Sequence, residues 1–495
     1  MTSTRRGAVA AGHVLTAGTA ADILRAGGNA FDAVIAGLWM ACVAEPVLAS
    51  PGGGGFLTAH SNTTGQATLY DFFVQTPLHK APTERLEFNS VHADFGTATQ
   101  EFHIGHGASA TPGFVPGLYA LHGDLGTMPM ADLLEPAMLA ARDGIEVTGF
   151  QAYLSQVVKP ILTATASSRA QFAPVGELAA PGQTCANHGL AGFYDGLARA
   201  GQAFYQNETV AQFCSAQAAQ GHLRPSDFAA YRVVKRAALT VPFSGARVEL
   251  NPPPSAGGAF VAHALWGLDN GARDRADALA RADQARLKHK GDVTAMLTEV
   301  GINHLGEADG GPASRGTTHI SVIDGDGNAA SATISNGEGN GHMVDGHGFM
   351  LNNMLGEEDL TPHGFHNWRE DARLSSNMCP AVAAASNGTL VALGSGGSNR
   401  IRSAVFQVLV RLLRDGMTPA DAVHTARLHV ENGHLDFEDD LDPDARAALT
   451  SAFPNHRAWS DRNLFFGGVQ AARRTADGRF EAAGDARRGG AAVVV

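Results

Sequence analysis

The sequence predicts an α/β protein in which helices and strands alternate in long blocks (α+β). Three observations predict it. Helical texture with cap and stop signals opens the chain, a glycine run then leads into strands, and an alternating hairpin pattern begins at residue 317. The chain has 495 residues, too many for one ordinary core; two or three domains, or one large layered body, are expected.

In AGTAADILRAGGNAFDAVIAGLWMACVAEP two short amphipathic helices break at Gly27-Gly28, with Asn29 as N-cap and Pro46 as the stop. PGGGGFLTAH (51–60) and ATLYDFF (67–73) read as strands, the glycines allowing close backbone packing. Residues 112–232 read as mostly helical, most clearly at LLEPAMLAARDG. ARVELNPPPSAGGAFVAHALWGL reads as strand, proline turn and helix. The charged stretch 273–292 suggests an exposed helix, and 304–316 a loose linker and the best boundary in the chain. Beyond it, HISVID and NAASATIS flank a DGDG turn, a hairpin signature. Two further strands lie around Asn387-Gly388, and IRSAVFQVLVRLLRDG is a helix with an apolar face, ended by Gly416.

Composition narrows the function classes. Hydrophobic residues are 44% and aromatic residues 7%, while 59 glycines point to close packing and tight turns. With 36 basic and 48 acidic residues the net charge is −12. That argues against nucleic acid and anionic membranes as partners. No apolar run is long enough to span a membrane, and the N-terminus does not read as a signal peptide. Cys42, Cys185, Cys214 and Cys379 form no C-x-x-C and no disulfide framework, so a reducing cytoplasm is the expected compartment.

Gly316-Thr317-Thr318 carries the chemistry. A cut before Thr317 would place a free α-amine beside its hydroxyl. Such an amine has a pKa of about 7.7–8.0 and can take the hydroxyl proton without a separate histidine. The β-branched side chain limits the rotamers, and Gly316 tolerates unusual backbone angles at the cut. The plain alternative is a strand that starts with two β-formers.

Gly396-Gly397 lies between a strand and a helix N-terminus, where backbone N–H groups suit an oxyanion. A tight turn or a phosphate loop are the alternatives, and the Walker lysine is missing. His342, His347, His363 and His366 cluster with Asp345 and Glu357, but no metal-ligand spacing appears and a polar loop explains them. DGDGN at 324–328 lacks the closing glutamate of a calcium loop.

Together these stretches resemble the γ-glutamyltranspeptidase family of N-terminal nucleophile hydrolases. The resemblance rests on GGNAFDA (27–33), EP with PGGGGF (45–56), TPGFVPGL (111–118), LGTMP (125–129) and NPPPSAGG (251–258). It continues in TTHISVIDGDGNAASAT (317–333), LNN (351–353), LSSNMCP (374–380) and GSGGSNR (394–400). It implies a four-layer αββα sandwich and a precursor that cuts itself between Gly316 and Thr317. The large subunit would be 1–316 and the small subunit 317–495.

Carried over by motif, Thr317 is the nucleophile, Ser335 supports it, and Gly396 and Gly397 form the oxyanion hole. Asn336, Ser375 and Ser376 match substrate-binding positions, and Glu357 or Glu358 is the closest match for the acidic one. No cofactor or metal is implied; the partners are a small-molecule amide or γ-glutamyl substrate and the two subunits themselves.

Three departures stand out. Phe73 replaces the arginine that grips the glutamyl α-carboxylate, exchanging a planar bidentate partner for an apolar ring. Met354 follows LNN where the family has Gln or Glu, and the lid loop has no match. The sequence therefore predicts an amidohydrolase of this family with a substrate other than simple γ-glutamyl peptides. The alternatives are a γ-glutamyltransferase or glutathione hydrolase whose clamp is relocated to Arg369 or Arg373, and a non-catalytic binding protein on the same scaffold.

Overall fold

A computed structural model describes residues 6–94, 99–302, 316–361 and 364–495. Among these residues two large sheets dominate. One has seven strands in the order Ala491–Val494, Gly7–Ala11, Thr317–Asp324, Ala329–Ser335, Gly54–Ser61, Gln66–Phe72 and Val234–Ala237. The other has six, in the order Phe480–Ala483, Gly468–Arg474, Leu390–Gly396, Ala381–Ala385, Ala246–Leu250 and Leu239–Phe243. The sheets stack face to face with helices outside each, the expected αββα sandwich.

Each layer follows from residue pattern. Asn29 caps the helix Ala30–Ala44 in a capping box with Asp32, which satisfies backbone donors at the helix start. Every residue of this helix is buried; a helix apolar all round belongs inside a protein. Val34, Leu38 and Trp39 share one cluster with Ile320, Val322 and Ile334 of the seven-stranded sheet. On the opposite side, Phe260 and Leu265 of the helix Ala256–Asp269 and Val405 and Leu409 of Arg400–Leu413 cluster with Val391, Leu393 and Val469 of the six-stranded sheet.

The space between the sheets is filled by small side chains. Ala8, Ala329, Ala392 and Ala472 cluster there with Ile323, Val382 and Leu390. A side chain at Gly394 would collide with the His319 ring, and one at Gly396 with the Thr317 carbonyl oxygen. The alanine and glycine content thus lets the two sheets approach closely.

Several expectations change. The helix Arg275–Lys288 is not simply exposed: Ala278, Leu279 and Ala282 are buried against the core. Strands from both sides of the boundary expected before Thr317 contribute to both sheets. The linker lies outside the described residues apart from Gly316, which is buried. Gly316 also has no left-handed φ; a side chain there would strike the Gly337 carbonyl oxygen. Steric room, rather than strain, demands glycine at this position. No helix among the described residues is long and apolar enough to cross a membrane.

Candidate active site

Thr317 is the first residue of its strand and is almost fully buried. Alternation along the strand sends Thr317, His319 and Ser321 toward the second sheet and Thr318 toward the helices. The contacts agree. The His319 ring bonds Thr333 Oγ1 at 2.7 Å and Ser321 Oγ at 2.8 Å. Burial pushes its pKa down to about 3, so the ring is a neutral spacer between the sheets. Thr318 Oγ1 instead donates to Glu45 at 2.6 Å.

Ser335 is the cross-strand partner of Thr317. Its hydroxyl donates to the Gly316 carbonyl oxygen at 2.5 Å and accepts from the Gly337 N–H at 3.1 Å. The carbonyl preceding Thr317 is therefore already polarised by a fixed donor. Gly396 approaches from the other sheet, directly against the Thr317 backbone. Gly397 follows with φ +130°, and a side chain there would lie 2.7 Å from Gly467 Cα. The helix Arg400–Leu413 then begins, so the glycine pair sits at the positive end of a helix dipole.

The turn after Ser335 gathers the other candidates. Gly337 takes φ +62°, and a side chain there would meet Glu357 Oε1 at 2.5 Å and collide with Asn353 Oδ1. Glu357 and Asn353 thus close on the same turn that carries Ser335 and Asn336. Glu357 is buried. Asn336 is 2% exposed, and its Oδ1 has no hydrogen-bond partner among the described residues. An acceptor so placed suits a substrate N–H donor.

Ser375 and Ser376 are buried. Ser375 Oγ donates to the Pro254 carbonyl at 2.6 Å, and Ser376 Oγ accepts from the Met378 N–H at 3.1 Å. The following residue, Asn377, bonds Asn399 at 2.7 Å and so joins the serine segment to the loop of Gly396 and Gly397.

Phe73 lies opposite Gly54, next to the strand Gln66–Phe72. Gly54 pairs with Ser335, and Ser335 with Thr317. Phe73 therefore shares the transverse row of Thr317, about 14 Å away at three strand spacings. Its ring is fully buried and stacks on Phe56 at 5.2 Å between centroids.

Of the two arginines named as a replacement clamp, Arg373 is already engaged. Arg373 Nη1 donates to the Phe73 carbonyl and, at 2.7 Å, to the Tyr231 hydroxyl; Nη2 donates to the Arg232 carbonyl at 2.6 Å; Nε faces Asp71 at 3.4 Å. Arg369 is exposed on the surface. Nor do the clustered histidines form one site. His347 packs among Phe193, Phe204 and Phe349, His366 packs on Phe88, and His363 lies outside the described residues.

Glu45 is a site residue that residue-by-residue reading passed over; only its place in the EP motif signalled it. It is 1% exposed and accepts from Thr318 and, at 3.1 Å, from Thr16. Burial raises its pKa from 4.5 to about 7, outweighing the two hydroxyl donors that lower it. The folded protein therefore holds this proton more tightly than the unfolded chain does. The resulting stability is fully present below pH 4.5 and lost as pH rises through about 7. The loss is about 3 kcal/mol. Glu45→Gln is expected to flatten this part of the stability profile, measured by urea unfolding at pH 5 and pH 8. An unchanged slope would show that Glu45 is not its source.

Comparison with known proteins follows the same lines. A family model described as gamma-glutamyltranspeptidase matches residues 16–289 and 275–495. The glutathione hydrolase proenzyme of Escherichia coli K12 is 28% identical over 475 residues, covering 86% of this chain and 81% of that protein. The acylase ACY 1 proenzyme of Pseudomonas sp. V22 is 28% identical over 530 residues, covering 99% of this chain and 94% of that protein. In three dimensions a cephalosporin acylase from Bacillus halodurans superposes with a TM-score of 0.81 at 22% identity, over 99% of this chain and 96% of that one. The last likeness shows the fold, and the first three show the lineage. This chain belongs to the gamma-glutamyltranspeptidase family of N-terminal nucleophile hydrolases and is an enzyme of that kind.

Proposed function

We propose that the chain cuts itself between Gly316 and Thr317 and then hydrolyses an amide through an acyl-enzyme on Thr317. The geometry supports the first step. Ser335 holds the Gly316 carbonyl oxygen, so Thr317 Oγ attacks a polarised carbon. The C–N bond breaks, its nitrogen takes the proton, and an ester joins Gly316 to Thr317 Oγ. Water cleaves that ester and leaves the α-amine of Thr317 free. In turnover this amine accepts the hydroxyl proton, and the backbone at Gly396 and Gly397 receives the oxyanion.

The single observation behind the substrate reading is Phe73. Where the family grips an α-carboxylate, this chain has a ring buried on Phe56. The nearest guanidinium, Arg373, is committed to Phe73, Tyr231 and Arg232. A carboxylate brought there would lose its hydration without gaining a partner. The acyl group hydrolysed best thus lacks the glutamyl α-carboxylate.

The test is a panel of anilides. Phenylacetyl and short aliphatic acyl groups, which lack that carboxylate, are compared with γ-glutamyl at equal concentration, and glutaryl, which keeps the carboxylate and lacks only the amine, is the control. At least one carboxylate-free acyl group is expected to exceed both γ-glutamyl and glutaryl in kcat/KM by about tenfold or more, the value of one lost charge-assisted contact. Fastest turnover of the γ-glutamyl anilide would instead support a glutathione hydrolase with its clamp elsewhere.

A further inference from the structure

His342 drew attention in the sequence for the wrong company. Its partners are Glu87 and His106, far away in the chain. Glu87 Oε2 lies 2.8 Å from His342 Nε2 and 3.9 Å from His106 Nε2. The three potential ligand atoms all lie within 4.8 Å of one another. Tetrahedral zinc with bonds of about 2.1 Å places its ligand atoms about 3.4 Å apart, and the two observed separations bracket that value. The imidazoles stack at 4.1 Å with 21° between planes, and both Nε2 atoms face Glu87.

The surroundings hold this arrangement. The Glu87 main chain is fixed by bonds from Glu87 N–H to Gln220 and from Gly107 N–H to Glu87, and its carboxylate accepts from the His106 N–H at 3.2 Å. Behind His106, the fully buried Gln217 amide lies 3.4 Å from Nδ1. Its Oε1 has no hydrogen-bond partner among the described residues. A half-turn of the amide would bring Oε1 toward a proton on Nδ1. That bond satisfies the orphan and leaves Nε2 bare, the outer-shell arrangement of a metal-bound histidine. All three side chains are partly exposed, at 22%, 13% and 25% for Glu87, His106 and His342. An ion can enter from solvent, and water can complete its coordination.

We propose that Glu87, His106 and His342 form a site for one borderline divalent cation of the zinc class, distinct from the Thr317 centre. Two imidazoles and one carboxylate suit zinc better than calcium or magnesium, which prefer oxygen ligands. Glu87 and His106 precede the expected cut and His342 follows it. If the chain is cut as proposed above, the ion joins the two products. It also secures the segment that leads from Asn336 through Asn340 to His342, whose Asn340 carbonyl already accepts from the Gly105 N–H at 2.9 Å.

The test uses tag-free protein stripped with EDTA and dialysed against micromolar zinc chloride. One equivalent per chain is expected to bind, with a melting temperature raised by about 2 °C or more. Cobalt chloride should give visible absorption bands at the same stoichiometry. His342→Ala and Glu87→Gln should each weaken zinc binding at least about tenfold. The uncut variant Thr317→Ala should still bind, because the ligands do not depend on cleavage. Absence of saturable binding at micromolar zinc overturns the proposal, and so does binding that survives unchanged in both ligand variants.

Discussion

Replacing Thr317 with alanine is expected to leave a single chain of 51.4 kDa and to reduce amidase activity by at least about 10⁴-fold. The size of the effect follows from the number of roles one residue holds. In the proposed mechanism its hydroxyl opens the Gly316 peptide bond, its released amine is the base, and its oxygen carries the acyl group. Thr318 cannot substitute, because alternation turns it to the helix side, where its hydroxyl is held by Glu45. Intact mass and N-terminal sequencing of wild type and variant decide the matter. A wild-type small chain beginning at Thr317, absent from the variant, is the expected pair of results. Cleavage of the alanine variant at the same bond would remove Thr317 from the mechanism.

Gly396→Ala is expected to have the second largest effect. A Cβ at this position collides with the Thr317 carbonyl oxygen, a backbone atom that cannot rotate away. Either the two sheets separate locally or the strand that begins at Thr317 moves. Displacement of a reacting group by about 1 Å costs on the order of 10²-fold in rate. The variant should therefore cut itself slowly and turn substrate over at least about 10²-fold less well. Gly478→Ala is a suitable control, because open space surrounds it on an exposed turn, although its φ of +82° adds strain. Equal activity of Gly396→Ala and wild type would mean that the sheets are not held as closely here as the contact requires.

Local signals in the sequence were reliable wherever the chain itself sets the geometry. Asn29 as a cap, Gly27-Gly28 as a break, and DGDG as a hairpin turn depend only on near neighbours, and all are present in the fold. The Gly-Thr-Thr motif marked the head of a strand, and GSGGSNR marked a strand-to-helix turn. The Phe73 departure was also legible, because it sits inside a recognisable motif.

Other features were set by segments distant in sequence. The helix 275–288 looked exposed by charge, yet its alanine face is covered by residues the local pattern could not name. Gly316 looked like a site of backbone freedom, and its real constraint is the Gly337 carbonyl across a turn. Arg373 looked available, but Tyr231, Arg232 and the Phe73 carbonyl occupy it from other parts of the chain. Glu87 and His106 meet His342 across more than 230 residues, a spacing that no local motif encodes.

By itself the sequence marked the first two helices, the hairpin around residues 324–327, the family and the candidate nucleophile. Those depend on periodicity, caps and short motifs, all carried by neighbouring residues. Only the tertiary structure decided which face of each strand meets which sheet, which arginine is already committed, and which histidines converge. Those depend on contacts between segments hundreds of residues apart, where packing of small residues between two sheets sets the distances.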